Sequence, residues 1–323
     1  VGGAFLVCAA AAVLSPLIGP VSVNLWSALS DPTSLDHQVL VRARLPRILF
    51  AALTGGALSV SGVVFQAILR NPLASPFTLG ISGGGSLGAV VAIVLGWDVA
   101  VAGLSLLPLS SFAGSLAIVL VVYGLSRTRR HLSPMTLLLA GVVLNYLCAA
   151  AILLIHYFSN FTKAFLMMRW MMGGLDVYEY SKLLSLTPFF VLGLPVLLFQ
   201  SRYLNVLSTG EEWAATRGVN VNRLITTQYF CASLLTGSVV AFAGPVGFVG
   251  LVVPHLLRLT VGADHRLLLP VSFLLGGAFL IVCDTIARTV LAPTEIPVGI
   301  FTSLLGGPFF LWLLLRRKRE FFL

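Results

Sequence analysis

The stretch Arg47–Leu69, RILFAALTGGALSVSGVVFQAIL, carries no formal charge after its first residue. An uncharged apolar run of this kind matches the roughly 20 residues with which an α-helix crosses the hydrocarbon core of a bilayer. Its small residues Gly55, Gly56 and Gly62 are the type that lets helix backbones approach closely in lipid. Similar runs lie on both sides, between charged or proline-rich breaks. With 47–69 they make ten segments, at about 2–19, 79–96, 103–125, 135–158, 182–200, 222–243, 246–259, 267–290 and 298–315.

Composition supports the same reading. Apolar residues make up 58% of the 323-residue chain and charged residues 10%, against roughly 45–50% and 25% in a soluble domain. Mean hydropathy is +1.00. So little charge excludes a disordered chain, a collagen-like or coiled-coil rod and an ordinary soluble enzyme together. The expected fold is all-α and polytopic, with about ten transmembrane helices in a single domain over 1–323. Val246–Thr260 is short and flanked by Gly and Pro, so it is expected to span incompletely or at a slant. Ser159–Ser181, with its Met and Trp residues, is expected to hold a short helix at the interface. The first stretch lacks a basic n-region and reads as a span, not a cleaved signal peptide.

The net charge of +9 reflects loop arginines, not nucleic-acid binding. With the N-terminus in the cytoplasm, thirteen of the 20 Lys and Arg fall inside and seven outside, which supports both termini inside. The outside set includes Arg42, Arg44 and Arg47, against that trend. Either they accept acidic residues of a docking protein or they snorkel to lipid phosphate. On the inside, the loop 201–223 is long enough to fold into small helices of its own.

Several motifs carry less than they suggest. Gly83–Gly88 satisfies GxGxxG but sits within an apolar span, with no preceding strand and no acid about 20 residues on. Spacings of four at Gly80, Gly84 and Gly88 point to helix packing instead. No P-loop occurs, and the only lysines are Lys163, Lys182 and Lys318. The chain therefore has no site of that kind for ATP, and any ATP and Mg belong to a partner. Cys8, Cys148, Cys231 and Cys283 share no metal spacing, nor do His37, His131, His156, His255 and His265. No spacing suggests a catalytic set. Thr54-Gly55, Gly62 and Val64 recur 182 residues on as Thr236-Gly237, Gly244 and Val246, a faint trace of an inverted repeat.

Asp284 is the one acid well inside a predicted span, where an unpaired charge costs roughly 2.5–3.5 kcal/mol on insertion scales. Arg288, one helical turn later, can neutralise it. Two roles stay open for this pair: a structural ion pair, or an outer-mouth arginine oriented by its acid. A cation-coupled secondary transporter titrating Asp284 is the rival reading from another class.

Other stretches make the sequence resemble the FecCD-like permease subunits of type II ABC importers for cobalamin, haem and iron–siderophore complexes. They include Arg44-Leu45-Pro46-Arg47, Asn71-Pro72-Leu73-Ala74, Arg130-His131-Leu132-Ser133 and Trp170-Met171-Met172-Gly173-Gly174. The run Gly247–His255 and Leu304-Leu305-Gly306-Gly307-Pro308 add to it in the family's order. The resemblance implies a homodimer in the bacterial cytoplasmic membrane, two cytoplasmic ABC ATPase subunits and an external substrate-binding protein. It implies that Arg44, Arg47 and Arg288 dock that protein. It places the cytoplasmic gate at Asn71 and Leu73, with Pro134 and Met135 where cobalamin-carrying relatives have small hydroxyl residues. Coupling to the ATPase falls to Gly210, Glu211, Glu212, Ala214, Ala215, Arg217 and Gly218.

Overall fold

In lipid, every backbone N–H and C=O must find its partner within the chain, and a single uncharged run achieves this as a helix. The computed structural model describes residues 1–19, 21–97, 100–101, 104–127, 133–176 and 179–320. Its helices are α1 (Gly2–Leu14), α2 (Leu25–Ser30), α3 (Leu35–His37), α4 (Leu45–Ile68), α5 (Ile81–Leu95), α6 (Leu106–Ser126), α7 (Pro134–Tyr157) and α8 (Phe161–Met171). They continue with α9 (Tyr180–Phe199), α10 (Ser201–Ser208), α11 (Glu211–Thr216), α12 (Val221–Ala243), α13 (Val249–Thr260), α14 (His265–Ala287) and α15 (Val298–Glu320). A two-residue ladder pairs Ala100–Val101 with Leu104–Ser105.

Among the described residues six helical stretches are long and apolar enough to cross a membrane: Leu35–Ile68, α6, α7, α9, α12 and α14. Gly2–Leu17, α5, α13 and Val298–Trp312 are shorter apolar helices. Each of the ten predicted segments lies on one of these ten. The expected slanted segment is α13, whose 12 residues reach only about 18 Å. It begins late because Gly244 and Phe248 take left-handed φ values of 65° each, turning the chain before it winds. The interface segment contains α8, and the 201–223 loop folds into α10 and α11 as expected. One boundary differs: a π-type turn, Gln38–Arg44, joins α3 to α4, so the rod begins at Leu35 and not near Arg47.

Buried along most of its length, α4 packs against α14, α12 and α13. Glycine makes this possible: a Cβ on Gly62 would fall onto the Gly250 backbone, and one on Gly55 onto that of Gly276. Gly84 and Gly88 of α5 meet Gly114 and Ser110 of α6 in the same way, which is the packing the four-residue spacing predicted. GxGxxG is thus helix interior. The echoed glycines occupy different places, Gly62 within α4 and Gly244 at the end of α12. Outward faces of α7 and α9 present Leu139, Val143, Leu147, Leu184 and Leu192, the apolar coat that lipid requires.

Candidate functional site

Three features stand out: an ion cluster at one end of α4, a cavity beside α5 and α7, and a contact at the other end of α4.

The cluster gathers Arg47 from α4, Asp284 and Arg288 from α14, and Glu295 from the connection to α15. Arg47 donates from Nε to both Asp284 oxygens at 3.1 and 3.0 Å and from Nη2 to Oδ1 at 2.8 Å. Its Nη1 donates to Glu295 Oε2 at 2.7 Å and lies 3.9 Å from Asp176. Arg288 Nε is 3.8 Å from Asp284, and its Nη2 donates to the Ser15 carbonyl at 2.8 Å. The turn-spaced pair expected from the sequence therefore exists, but Asp284's principal partner is Arg47, 237 residues away. Arg44 donates to the carbonyls of Pro16 and Val21. Arg44, Arg47 and Arg288 are only 6%, 7% and 4% exposed. The structure brings the three together, but facing inward, because Arg47 is taken up by Asp284 and Glu295 and the other two by carbonyls of the Ser15–Val21 stretch. Arg169 and Asp176 form the exposed edge of the cluster.

The cavity, of about 1090 Å³, is lined from α5, α7, α8, α15 and the turns that precede α5 and α13. At one end lie Ser75, Phe77 and Thr78, and at the other Met168, Met171 and Met172. Its wall is mainly apolar. Gly83 leaves room for Asn145, whose Oδ1 occupies the space a Cβ would take.

At the far end of α4, Arg70 adopts φ 49° and the chain turns back. Asn71 Oδ1 accepts the Leu73 amide at 2.9 Å, and the Asn71 amide donates to the Gln66 carbonyl at 3.2 Å. Leu73 is left exposed. Pro134 occupies the first turn of α7, capped by Ser133, where a missing N–H costs nothing. Met135 is exposed beside it. Gly141, two turns along α7, lies against Thr78 and Leu79. Arg130, His131 and Leu132 lie outside the described residues.

Glycines bound the segment expected to couple: Gly210 at φ 131° opens α11 and Gly218 at φ 79° closes it. Ala214 is buried, while Glu212, Ala215 and Arg217 are exposed. Glu211 Oε1 pairs with Arg70 Nη2 at 3.3 Å. This ties α11 to the residue before Asn71. On α10, Asn205 Oδ1 accepts the His265 amide at 2.8 Å, and its Nδ2 donates to Asp264 at 2.6 Å, bolting α10 to the start of α14. That bond and the Arg266 amide hold the Asp264 carboxyl below the usual carboxylate range.

The family model of the FecCD transport family matches residues 6–316. The chain belongs to the FecCD transport family. It is 42% identical over 306 residues to the hemin transport system permease protein of Yersinia pestis, covering 92% of this chain and 88% of that one. It is 45% identical over 286 residues to the cobalamin import system permease protein of Halobacterium salinarum, covering 88% and 74%. A solved structure described as an inward-facing conformation of a metal-chelate type ABC transporter shares 34% identity at a TM-score of 0.84, covering 97% of both chains. This FecCD-family chain is therefore a multi-pass ABC permease with a transport role.

Sequence reasoning missed Arg70, Asp176, Glu295 and Asn205. Arg70 adjoins the quoted Asn71-Pro72-Leu73-Ala74, so it stood beside a quoted motif. What each one touches could not be read from position.

Proposed function

We propose that two copies of this permease form the membrane pathway of an ATP-driven importer for metal chelates of the haem and cobalamin class. Two separate cytoplasmic ABC ATPase subunits power it, and an external substrate-binding protein feeds it, in a bacterial cytoplasmic membrane with both termini inside. One observation carries the reading: the loop that forms one end of the cavity at Ser75–Thr78 begins at Arg70, the residue paired with Glu211 of the coupling segment.

The chelate enters at the α8 end and leaves past Asn71 and Leu73, with Pro134 and Met135 at the facing edge. Closure of the ATPases displaces Gly210–Gly218, and the Arg70–Glu211 pair passes the displacement to the loop whose turn Asn71 sets. At the opposite end, Glu295 and Asp176 shield Arg47. A docking protein's carboxylate reaches Arg47 by replacing Glu295, while Arg44 and Arg288 hold the surrounding backbone. Asp284, held by three hydrogen bonds from Arg47, is poorly placed to exchange a proton, which weighs against a cation-coupled carrier.

The test is reconstitution in proteoliposomes with the ATPase and binding protein encoded beside it. Uptake of haemin or cyanocobalamin should require ATP and the ATPase subunit. Accumulation driven by an ion gradient alone, with no ATPase present, would overturn the reading.

A further inference from the structure

Two opposite charges open α9 without pairing. Glu179 is the N-cap of this helix and Lys182 stands in its first turn, three residues on, a spacing that puts both on one face. Among the described residues neither forms an ion pair. The Glu179 carboxylate accepts from Ser181 Oγ at 3.1 Å, and the Lys182 ammonium has no partner. Both side chains instead border one cavity of about 250 Å³, held between α6, α9 and α12.

Behind this charged rim the cavity is apolar. Leu109 and Phe112 of α6, Phe189 of α9 and Phe242 of α12 line it, with the Phe112 and Phe189 ring centroids 4.9 Å apart. Phe112 also borders a second cavity of about 170 Å³, deeper along the same seam, walled by Leu116, Val119, Phe230 and Leu234. From Phe242 to Phe230 the seam follows α12 for about 18 Å. That is close to half of the roughly 30 Å hydrocarbon core, the depth of one leaflet. Leu109 and Leu116 are exposed, so both cavities open on the lipid side of the bundle. Tyr180 donates to the Val41 carbonyl at 2.7 Å, which sets the charged rim at the Arg47 end. The large cavity beside α5 and α7 uses none of these three helices.

We propose that this seam is a binding site for one phospholipid with a primary-amine headgroup, phosphatidylethanolamine. Its ammonium donates to Glu179, its phosphate accepts from Lys182, and one acyl chain lies between α6 and α12 past Phe112. The rim selects the lipid class. An acidic headgroup such as phosphatidylglycerol meets Lys182 but has no cation to set against the Glu179 carboxylate. A choline headgroup brings a cation with no N–H to donate. The outward faces of α7 and α9, with Leu139, Leu147, Leu184 and Leu192, would bury both rim charges unpaired if a second copy packed here, a cost that a zwitterion avoids.

The test is native mass spectrometry of the full chain released from detergent micelles. Palmitoyl-oleoyl phosphatidylethanolamine, phosphatidylglycerol and phosphatidylcholine are supplied at equal concentration. One phosphatidylethanolamine should stay bound at collision energies that strip the other two. Glu179→Gln and Lys182→Gln, at an exposed and a half-buried position, should keep the fold, since neither charge is paired within the protein. Each should weaken phosphatidylethanolamine retention about tenfold, the loss of one charge-assisted contact. Glu179→Gln should also erase the preference over phosphatidylglycerol. Equal retention of the three lipids by wild type would overturn the proposal, as would unchanged phosphatidylethanolamine retention in the E179Q/K182Q variant. A dimer that this variant disrupts, with no lipid retained, would give the seam to a second copy and overturn it equally. ATP-dependent uptake in proteoliposomes is a separate measurement, so the importer reading stands or falls independently.

Discussion

Replacing Asp284 by Asn removes the charge that Arg47 faces while keeping the shape of the side chain. Arg47 and Asp284 are 7% and 1% exposed, and three N–H donors-to-oxygen contacts of 2.8–3.1 Å join them. Removing one partner of such a pair strands the other, at a cost of about 3–5 kcal/mol. Asp284→Asn should fall near the low end, about 3 kcal/mol, because Glu295 still holds Nη1. Arg47→Gln should cost as much or more, since Arg288 approaches Asp284 only to 3.8 Å. Glu295→Gln should cost under about 1 kcal/mol, because the Glu295 side chain is 41% exposed. The assay is equilibrium unfolding in mixed micelles titrated with dodecyl sulfate, run as a double-mutant cycle. Coupling between positions 47 and 284 should exceed that between 288 and 284. An Asp284→Asn change within about 1 kcal/mol of wild type, or the reverse order of couplings, would refute the reasoning.

Arg70→Glu or Glu211→Arg alone should leave the protein folded, since both side chains are half-exposed and such pairs contribute little stability. Each should depress ATP-dependent uptake in proteoliposomes, and the combined swap should restore it. Recovery absent from the swap would remove the pair from the coupling route. Gly62→Val should cost more than about 3 kcal/mol, because backbone at Gly250 cannot move aside as a side chain would; the yield of monodisperse protein checks it. The Asp264 carboxyl sits below its ordinary value of about 3.9, so its caps to Asn205 and Arg266 are intact above that pH. They are lost as pH falls through the lowered value. Exchange of the Arg266 and Leu267 amides, corrected for intrinsic rate, should stay flat from neutral pH to about 5 and rise only below about 4. Asp264→Asn should remove that dependence.

Hydropathy is a sum over neighbours in the chain, and it located the ten apolar helices among the described residues without any partner in view. The length of the stretch between two apolar runs also marked out 201–223 as a loop able to fold into small helices. The glycines of α5 announced close packing because a stripe four residues apart is a local property of a helix. Pairing is not local. Nothing in the order of residues says that Asp284, with Arg288 one turn away, is held instead by Arg47 across the bundle. Nor could position show that Arg44, Arg47 and Arg288 point inward, since that depends on partners at Ser15, Pro16, Val21, Asp284 and Glu295. Likewise, Arg70 reads as an ordinary loop arginine until α11 folds beneath it.

What the sequence determined, then, was a lipid-buried all-helical chain and its family. Both follow from patterns carried on single helices and loops. Which helix faces meet, which charges become buried, and which side chains join Glu179 and Lys182 around one cavity were decided only by tertiary packing. Each of these is a contact between segments distant in the chain, selected by the fit of whole helices against one another.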